Sequence, residues 1–180
     1  MEFINNWKGF IIERIGIIGA GGIGSRHLQS LSKLDRLIEI IVIDPNQNSL
    51  SISKKRYEKG LKNNNNKLNV IYSNSINSLG NYLDIAIIAT NADIRGQVIS
   101  DLIENVKVKY IVLEKVAFQS INTFEEVIKM FDKHKVKSWV NCTRRMIPFY
   151  KNLKNIISSE KIINMKVEGG TWGLACNSIH

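Results

Sequence analysis

Short apolar runs alternate along the chain with longer stretches whose apolar positions recur at helical spacing. Glu13–Ile18 (ERIGII) is a β-branched run that stops at a glycine cluster, which predicts a first strand. From Gly22 to Leu34 the apolar positions are Ile23, Leu28, Leu31 and Leu34, with His27 on the same face, which predicts a helix. Ile38–Ile43 (IEIIVI) is almost unbroken and ends at Asp44-Pro45, the pattern of a strand buried on both faces. Gln47–Lys59 predicts a second helix, and Lys62–Lys67 (KNNNNK) a polar loop whose composition needs no function. Leu68–Tyr72 and Leu83–Ala89 (LDIAIIA) predict two more strands, the latter followed by Thr90-Asn91-Ala92-Asp93. Ile94, Val98, Ile99, Leu102 and Ile103 mark the next helix, and Tyr110–Leu113 a strand ending at Glu114-Lys115. Asn122 and Glu125 have capping-box spacing before a helix that uses Phe124, Val127, Ile128 and Phe131. Val136–Val140 predicts the last strand of the series, ending at Asn141.

Repeated strand–helix alternation builds parallel βαβ units with right-handed crossovers. The predicted fold class is therefore α/β, with a doubly wound, mostly parallel sheet. Ligands of such sheets bind beyond the carboxyl ends of the strands. The residues predicted at those ends are the glycine cluster, Asp44, Thr90-Asn91, Glu114-Lys115 and Asn141. Beyond Pro148 the pattern changes. Phe149–Ile157 predicts a linking helix, and Lys161–Gly170 a strand outside the first sheet, before Trp172-Gly173-Leu174 and Ile179-His180. The expected organisation is an extension over residues 1–12, a sheet domain over 13–145, and over 146–180 a linking helix with the opening of an incomplete second α/β domain.

Composition narrows the picture. The 180 residues are 44% hydrophobic and 23% charged, the balance of a soluble globular protein. No apolar run approaches the ~20 residues needed to cross a bilayer. Met1–Phe10 lacks the basic start, apolar stretch and cleavage site of a signal peptide. Cys142 and Cys176 form no CxxC, and a cytoplasmic setting is expected. The net charge of +9 suits an anionic partner or a solvated lysine-rich surface. Lys54, Lys55, Arg56, Lys59, Lys62 and Lys67 cluster in a stretch that alternates with apolar residues at helical spacing, so outer helix faces are expected to carry most of the charges. No readable DNA or RNA motif accompanies the charge, so a nucleic-acid partner is not expected. Neither is a metal site.

The glycine cluster changes the picture most. In Gly19-Ala20-Gly21-Gly22-Ile23-Gly24, the residues Gly19, Gly21 and Gly24 have the G-x-G-x-x-G spacing. The first glycine permits a tight turn, the second lets the backbone approach a pyrophosphate, and the third lets helix and strand pack closely. Backbone N–H groups of Gly22 and Ile23 and the helix dipole would meet the anion. The motif alone is weak, since a structural turn without ligand has the same glycines. Its place between a strand and a helix, with Asp44 about 20 residues further on at the next strand's end, makes it a Rossmann-type dinucleotide site. Asp44 favours NAD over NADP, because a carboxylate accepts from ribose hydroxyls and repels a 2′-phosphate. Its alternative role is a cap or turn residue before Pro45.

With these pieces in order, the chain resembles the glucose–fructose oxidoreductase / inositol dehydrogenase (Gfo/Idh/MocA) family of NAD(P)-dependent sugar oxidoreductases. The matching segments are Arg14–Gly24 followed by His27, Ile43–Asn46, Ile88–Thr90, Leu113–Lys115 and Asn141–Pro148. The resemblance implies a Rossmann domain followed by a larger α/β domain that builds the substrate pocket and a homo-oligomer interface. It implies a sugar or nucleotide-sugar substrate, and cofactor contacts near Thr90, Asn91, Glu114 and Asn141. Glu114-Lys115 corresponds to the family's Glu-Lys-Pro motif, so Lys115 would touch the substrate hydroxyl or the nicotinamide. His180 resembles the family's general base, which takes the hydroxyl proton as hydride leaves the same carbon. Four positions depart from the family: Val116 replaces the motif's proline, Asn91 a proline, Arg95 a histidine, and Cys176 an aspartate partner of the base. A thiol does not support an imidazolium as a carboxylate does.

The plainer readings stand beside these. Lys115 also reads as a surface lysine, His27 as a core or cap histidine, and His134 as a cation at a helix C-terminus. Arg144 and Arg145 read as solvated or interfacial, and Cys142 as packing. The sequence thus supports either a sugar dehydrogenase or a truncated dinucleotide-binding module without turnover.

Overall fold

The computed structural model describes residues 13–34, 37–61 and 69–158, together with 164 and 166. Six strands are laid down in chain order: β1 (Glu13–Ile18), β2 (Ile38–Ile43), β3 (Asn69–Ser73), β4 (Tyr82–Ile88), β5 (Lys107–Leu113) and β6 (Lys137–Val140). The helices between and after them are α1 (Gly24–Leu31), α2 (Gln47–Leu61), α3 (Arg95–Asn105), α4 (Ile121–His134) and α5 (Pro148–Ile157). Every strand pair is parallel, and the spatial order is β3-β2-β1-β4-β5-β6. The winding direction reverses between β1 and β4. Helices diverge there and leave a crevice at the carboxyl ends.

The alternation of side chains across β2 shows why its run is almost unbroken. Ile40 and Val42 enter one core with Ile17, Leu28, Leu50 and Tyr57, under α1 and α2. Ile41 and Ile43 enter the other, with Leu83, Ile99, Leu102, Val127 and Phe131, under α3 and α4. Both faces of the strand are covered, and its one polar residue is Glu39, near the start, which pairs with Arg14. Gly16 in β1 is a close-approach glycine, because a Cβ there would stand 2.7 Å from Leu83 Cδ1.

Several boundaries differ from the sequence reading; β3, β4, β6 and α2 shift by one or two residues, and three differences are larger or change a cap. Helix α1 starts at Gly24 rather than Gly22, since Gly21 and Gly22 belong to the turn; it ends at Leu31, and the N–H of Leu34 then reaches Leu31 O. Helix α4 is capped by Ser120, whose side chain accepts from Thr123 N, so the expected Asn122–Glu125 capping box does not form. Ser120 is extended while Asn122 already lies in the first turn, where its side chain is past the capping position. Strand β5 begins at Lys107, three residues before the expected Tyr110, because the extra residues pair with β4 from Tyr82 onward.

The chain divides into two compact units, Met1–Val140 and Asn141–His180. In the second, a short 3-10 turn (Thr143–Met146) precedes α5, which starts on Pro148 at the position where proline's fixed φ suits a helix. The loop expected at Lys62–Lys67, the strand at Lys161–Gly170, and Trp172, Cys176 and His180 lie outside the described residues. Among those described, no helix is long and apolar enough to cross a membrane.

Candidate functional site

The glycine turn follows β1 directly, and each of its glycines is placed differently. Gly19 adopts φ 96°, a left-handed conformation, and a Cβ on it would meet the Ala89 carbonyl carbon at 2.8 Å. A Cβ on Gly24 would stand 1.8 Å from Gly19 O, so the start of α1 lies directly on the end of β1. Gly21 and Gly22 would meet nothing within 4 Å, and both are exposed. Two glycines are therefore required by packing, while the two between them leave open space for a ligand to approach the backbone. Cross-links hold the turn: Gly19 N donates to Ile43 O at 2.8 Å, and Ala89 N to Ile18 O at 2.8 Å. At the start of α1 the N–H groups of Ser25 and Arg26 already donate to Gly21 O and Ile23 O, and the positive end of the helix dipole lies at this opening.

Asp44 leaves β2 half-buried beside the turn. Its Oδ2 accepts from Ala20 N at 2.7 Å and its Oδ1 from Asn46 N at 2.8 Å. The turn reading of Asp44 is thus realised, and the acid is also tied to the glycine turn. Capping of α2 falls to Asn46, whose Oδ1 accepts from Asn48 N at 2.9 Å.

Sequence reasoning set Arg56 among solvated charges, and the structure brings it inward. It is half-buried on α2, one residue from buried Tyr57 and three from buried Ser53. Its Nη1 donates to Gly22 O at 3.2 Å and to Ser25 Oγ. Ser25 Oγ in turn donates to Gly21 O at 2.6 Å. The helical phase of Ser53 and Tyr57 was the available signal that this arginine faces the core side.

A cleft of about 530 Å³ opens at the carboxyl ends of β1, β4 and β5. It is lined by Gly21–Ile23, Ala89–Asp93, Arg95, Glu114, Lys115 and Gln119. The predicted Thr90, Asn91, Glu114 and Lys115 therefore meet the glycine turn around one cavity. Thr90 is half-buried, with Oγ1 fully enclosed and unpartnered among the described residues. Asn91 and Lys115 are exposed. The Lys115–Val116 peptide bond is cis.

Glu114 is 8% exposed, and its Oε1 lies 2.7 Å from His27 Nε2. His27, read from the sequence as a core or cap residue, instead links α1 to the end of β5. Arg95 is 2% exposed. Its Nη1 donates to the carbonyl oxygens of Glu114, Val116 and Ala117, the last at 2.9 Å, and its Nη2 to that of Thr90. Burial pushes the guanidinium below its usual range, while the Glu114 charge acts in the opposite sense. The sequence marked Arg95 only as a departure from the family. Asn141 is half-buried and opens the second unit. His180 lies outside the described residues.

A parallel sheet in the order 3-2-1-4-5-6, with its glycine turn, acid and cleft at the reversal point, defines a dinucleotide-binding α/β domain. The open space at Gly21 and Gly22 and the acid beside the turn fit such a ligand. The sequence profile of the oxidoreductase family with NAD-binding Rossmann fold (GFO_IDH_MocA) matches residues 13–142, and the chain belongs to this family.

Solved structures share the fold. UDP-N-acetylglucosamine 3-dehydrogenase GnnA from Acidithiobacillus ferrooxidans is 17% identical (TM-score 0.60), with 82% of this chain and 44% of that one covered. Myo-inositol 2-dehydrogenase from Lactobacillus plantarum is 20% identical (TM-score 0.61), covering 84% and 42%. A super-repressor mutant of Gal80p from Saccharomyces cerevisiae is 21% identical (TM-score 0.63), covering 82% and 38%. The chain thus spans less than half the length of these structures. No curated protein matches it significantly.

Proposed function

We propose that this chain is the cofactor-binding part of an NAD-dependent oxidoreductase that acts on a hydroxyl of a sugar, polyol or nucleotide sugar. The observation that carries the reading is the convergence of Glu114 and Lys115 with the open glycines on one cleft, beside an acid bonded into the same turn. The amides at Gly22 and Ile23 receive the pyrophosphate, and the remaining lone pairs of Asp44 receive the adenosine ribose hydroxyls. Absence of any Arg or Lys between Pro45 and Ser53 favours NAD over NADP. Thr90, Asn91, Glu114 and Asn141 are the further cofactor contacts. A bound nicotinamide would supply the acceptor for a hydride from the alcohol carbon. Lys115, exposed at the cleft, donates to the substrate oxygen and stabilises its developing negative charge. His180 takes the hydroxyl proton, a role carried over from the family resemblance. Residues 146–180 open the substrate domain, whose sheet also forms a homo-oligomer contact, and the protein works in the cytoplasm.

Calorimetric titration with NAD and with NADP tests the reading, followed by a screen for NADH production with sugars and polyols. NAD is expected to bind more tightly than NADP. Binding of neither overturns the assignment. A second reading, a dinucleotide-binding module without turnover, is supported by the likeness to a repressor of the same fold. Binding with no NADH formed from any candidate would favour it.

A further inference from the structure

Arg95 is a cation in an unexpected place. It occupies the first residue of α3, where the helix dipole disfavours positive charge, and it is 2% exposed. A buried guanidinium is retained only when its donors are well used. Here Nε has no partner among the described residues, while the Nη1 and Nη2 donors go to backbone carbonyls of two separate segments. Three belong to the segment after β5, at Glu114, Val116 and Ala117, and one to Thr90 after β4. The carbonyls of Glu114 and Val116 lie on either side of Lys115. The planar fork of arginine can span two segments in a way a point-charge ammonium cannot.

We infer that Arg95 is a positioning residue, which fixes the backbone on both sides of Lys115 and ties that segment to Thr90, so that the cleft wall is shaped before any ligand arrives. The inference rests on the reading of Lys115 as a group that faces substrate or nicotinamide. Arg95 also lines the cleft with its buried side chain. Its effect passes through the carbonyls it holds.

The test is ¹⁵N relaxation of the free chain, wild type against Arg95→Met and Arg95→Lys, with NAD titrated into each. In the wild type, amides 115–117 are expected to show rigid order parameters, about 0.85, falling below about 0.6 in Arg95→Met. Amides of Ile40–Val42 are expected to stay rigid in both. NAD affinity is expected to drop at least tenfold in Arg95→Met, with Arg95→Lys intermediate in both readouts. Asp44→Ala separates the two effects, losing NAD affinity while 115–117 remain ordered. If Arg95→Met does not fold, the same comparison is made with Arg95→Lys alone. Wild-type order at 115–117 in every folded variant overturns the inference, as does equal loss of order throughout the sheet. If the wild type binds neither dinucleotide, the reading of the cleft fails, while the relaxation data still decide what Arg95 does.

Discussion

The two ends of the cleft are built by different means. At the glycine turn the shape comes from what is missing: no Cβ at Gly19 and Gly24, where one would collide with backbone, and none at Gly21 and Gly22, where the space is open. At the Glu114 end the shape comes from side chains that reach across the fold. His27 arrives from α1 and Arg95 from α3, and each meets the segment after β5. One end is specified by local spacing and the other by contacts between distant residues. The first should therefore fail through steric collision, and the second through loss of polar partners.

Gly24→Ala should have the largest effect. A methyl group 1.8 Å from Gly19 O has no room, and destabilisation of about 3 kcal/mol or more is expected in urea unfolding. Gly21→Ala is its counterpart at the same turn. Stability should change by less than about 0.5 kcal/mol, while NAD affinity falls, because the methyl enters only the space left for the ligand. A large loss of stability in Gly21→Ala would break the distinction between packing glycines and ligand glycines. His27→Ala comes next. It removes the imidazole from a largely buried carboxylate, and about 1–3 kcal/mol should be lost, with part recovered in the His27→Ala, Glu114→Gln double variant. Additive losses in that cycle would show that the pair is not coupled.

Asp44→Ala should weaken NAD binding about tenfold by calorimetry, equivalent to ~1.4 kcal/mol, and narrow the gap to NADP. An unchanged NAD affinity would leave Asp44 as a turn residue only. The smallest change lies away from the cleft. Lys135 ends α4 at φ 56°, and Lys135→Gly should stabilise by under about 1 kcal/mol in the same unfolding experiment, with dinucleotide affinity untouched.

The same contrast explains what could be read from the sequence. The strand pattern was legible because burial on two faces leaves a run such as Ile38–Ile43 apolar but for Glu39. The glycine turn was legible because its constraints fall within six residues. Thr90, Asn91, Glu114 and Lys115 could be placed on one edge because parallel topology brings strand ends together. The bonds of His27 and Arg95 were hidden. A histidine on an apolar helix face has the same spacing whether it packs or pairs, and acceptors that are backbone carbonyls leave no mark in residue identity. Arg56 was obscured by the lysines around it. The cap of α4 was misplaced because Ser120 and Asn122 are both good capping residues, and only the backbone conformation decides between them.

The bond from Ala20 N–H to Asp44 also bears on how this domain could change over generations. On the proposed reading, the acid both recognises the ribose and braces the turn that carries the pyrophosphate. Exchanging it to admit a phosphorylated ribose would remove the brace at the same stroke. Cofactor preference is therefore hard to drift at this position by single steps. A lineage that made the switch would need a second acceptor for Ala20 already in place.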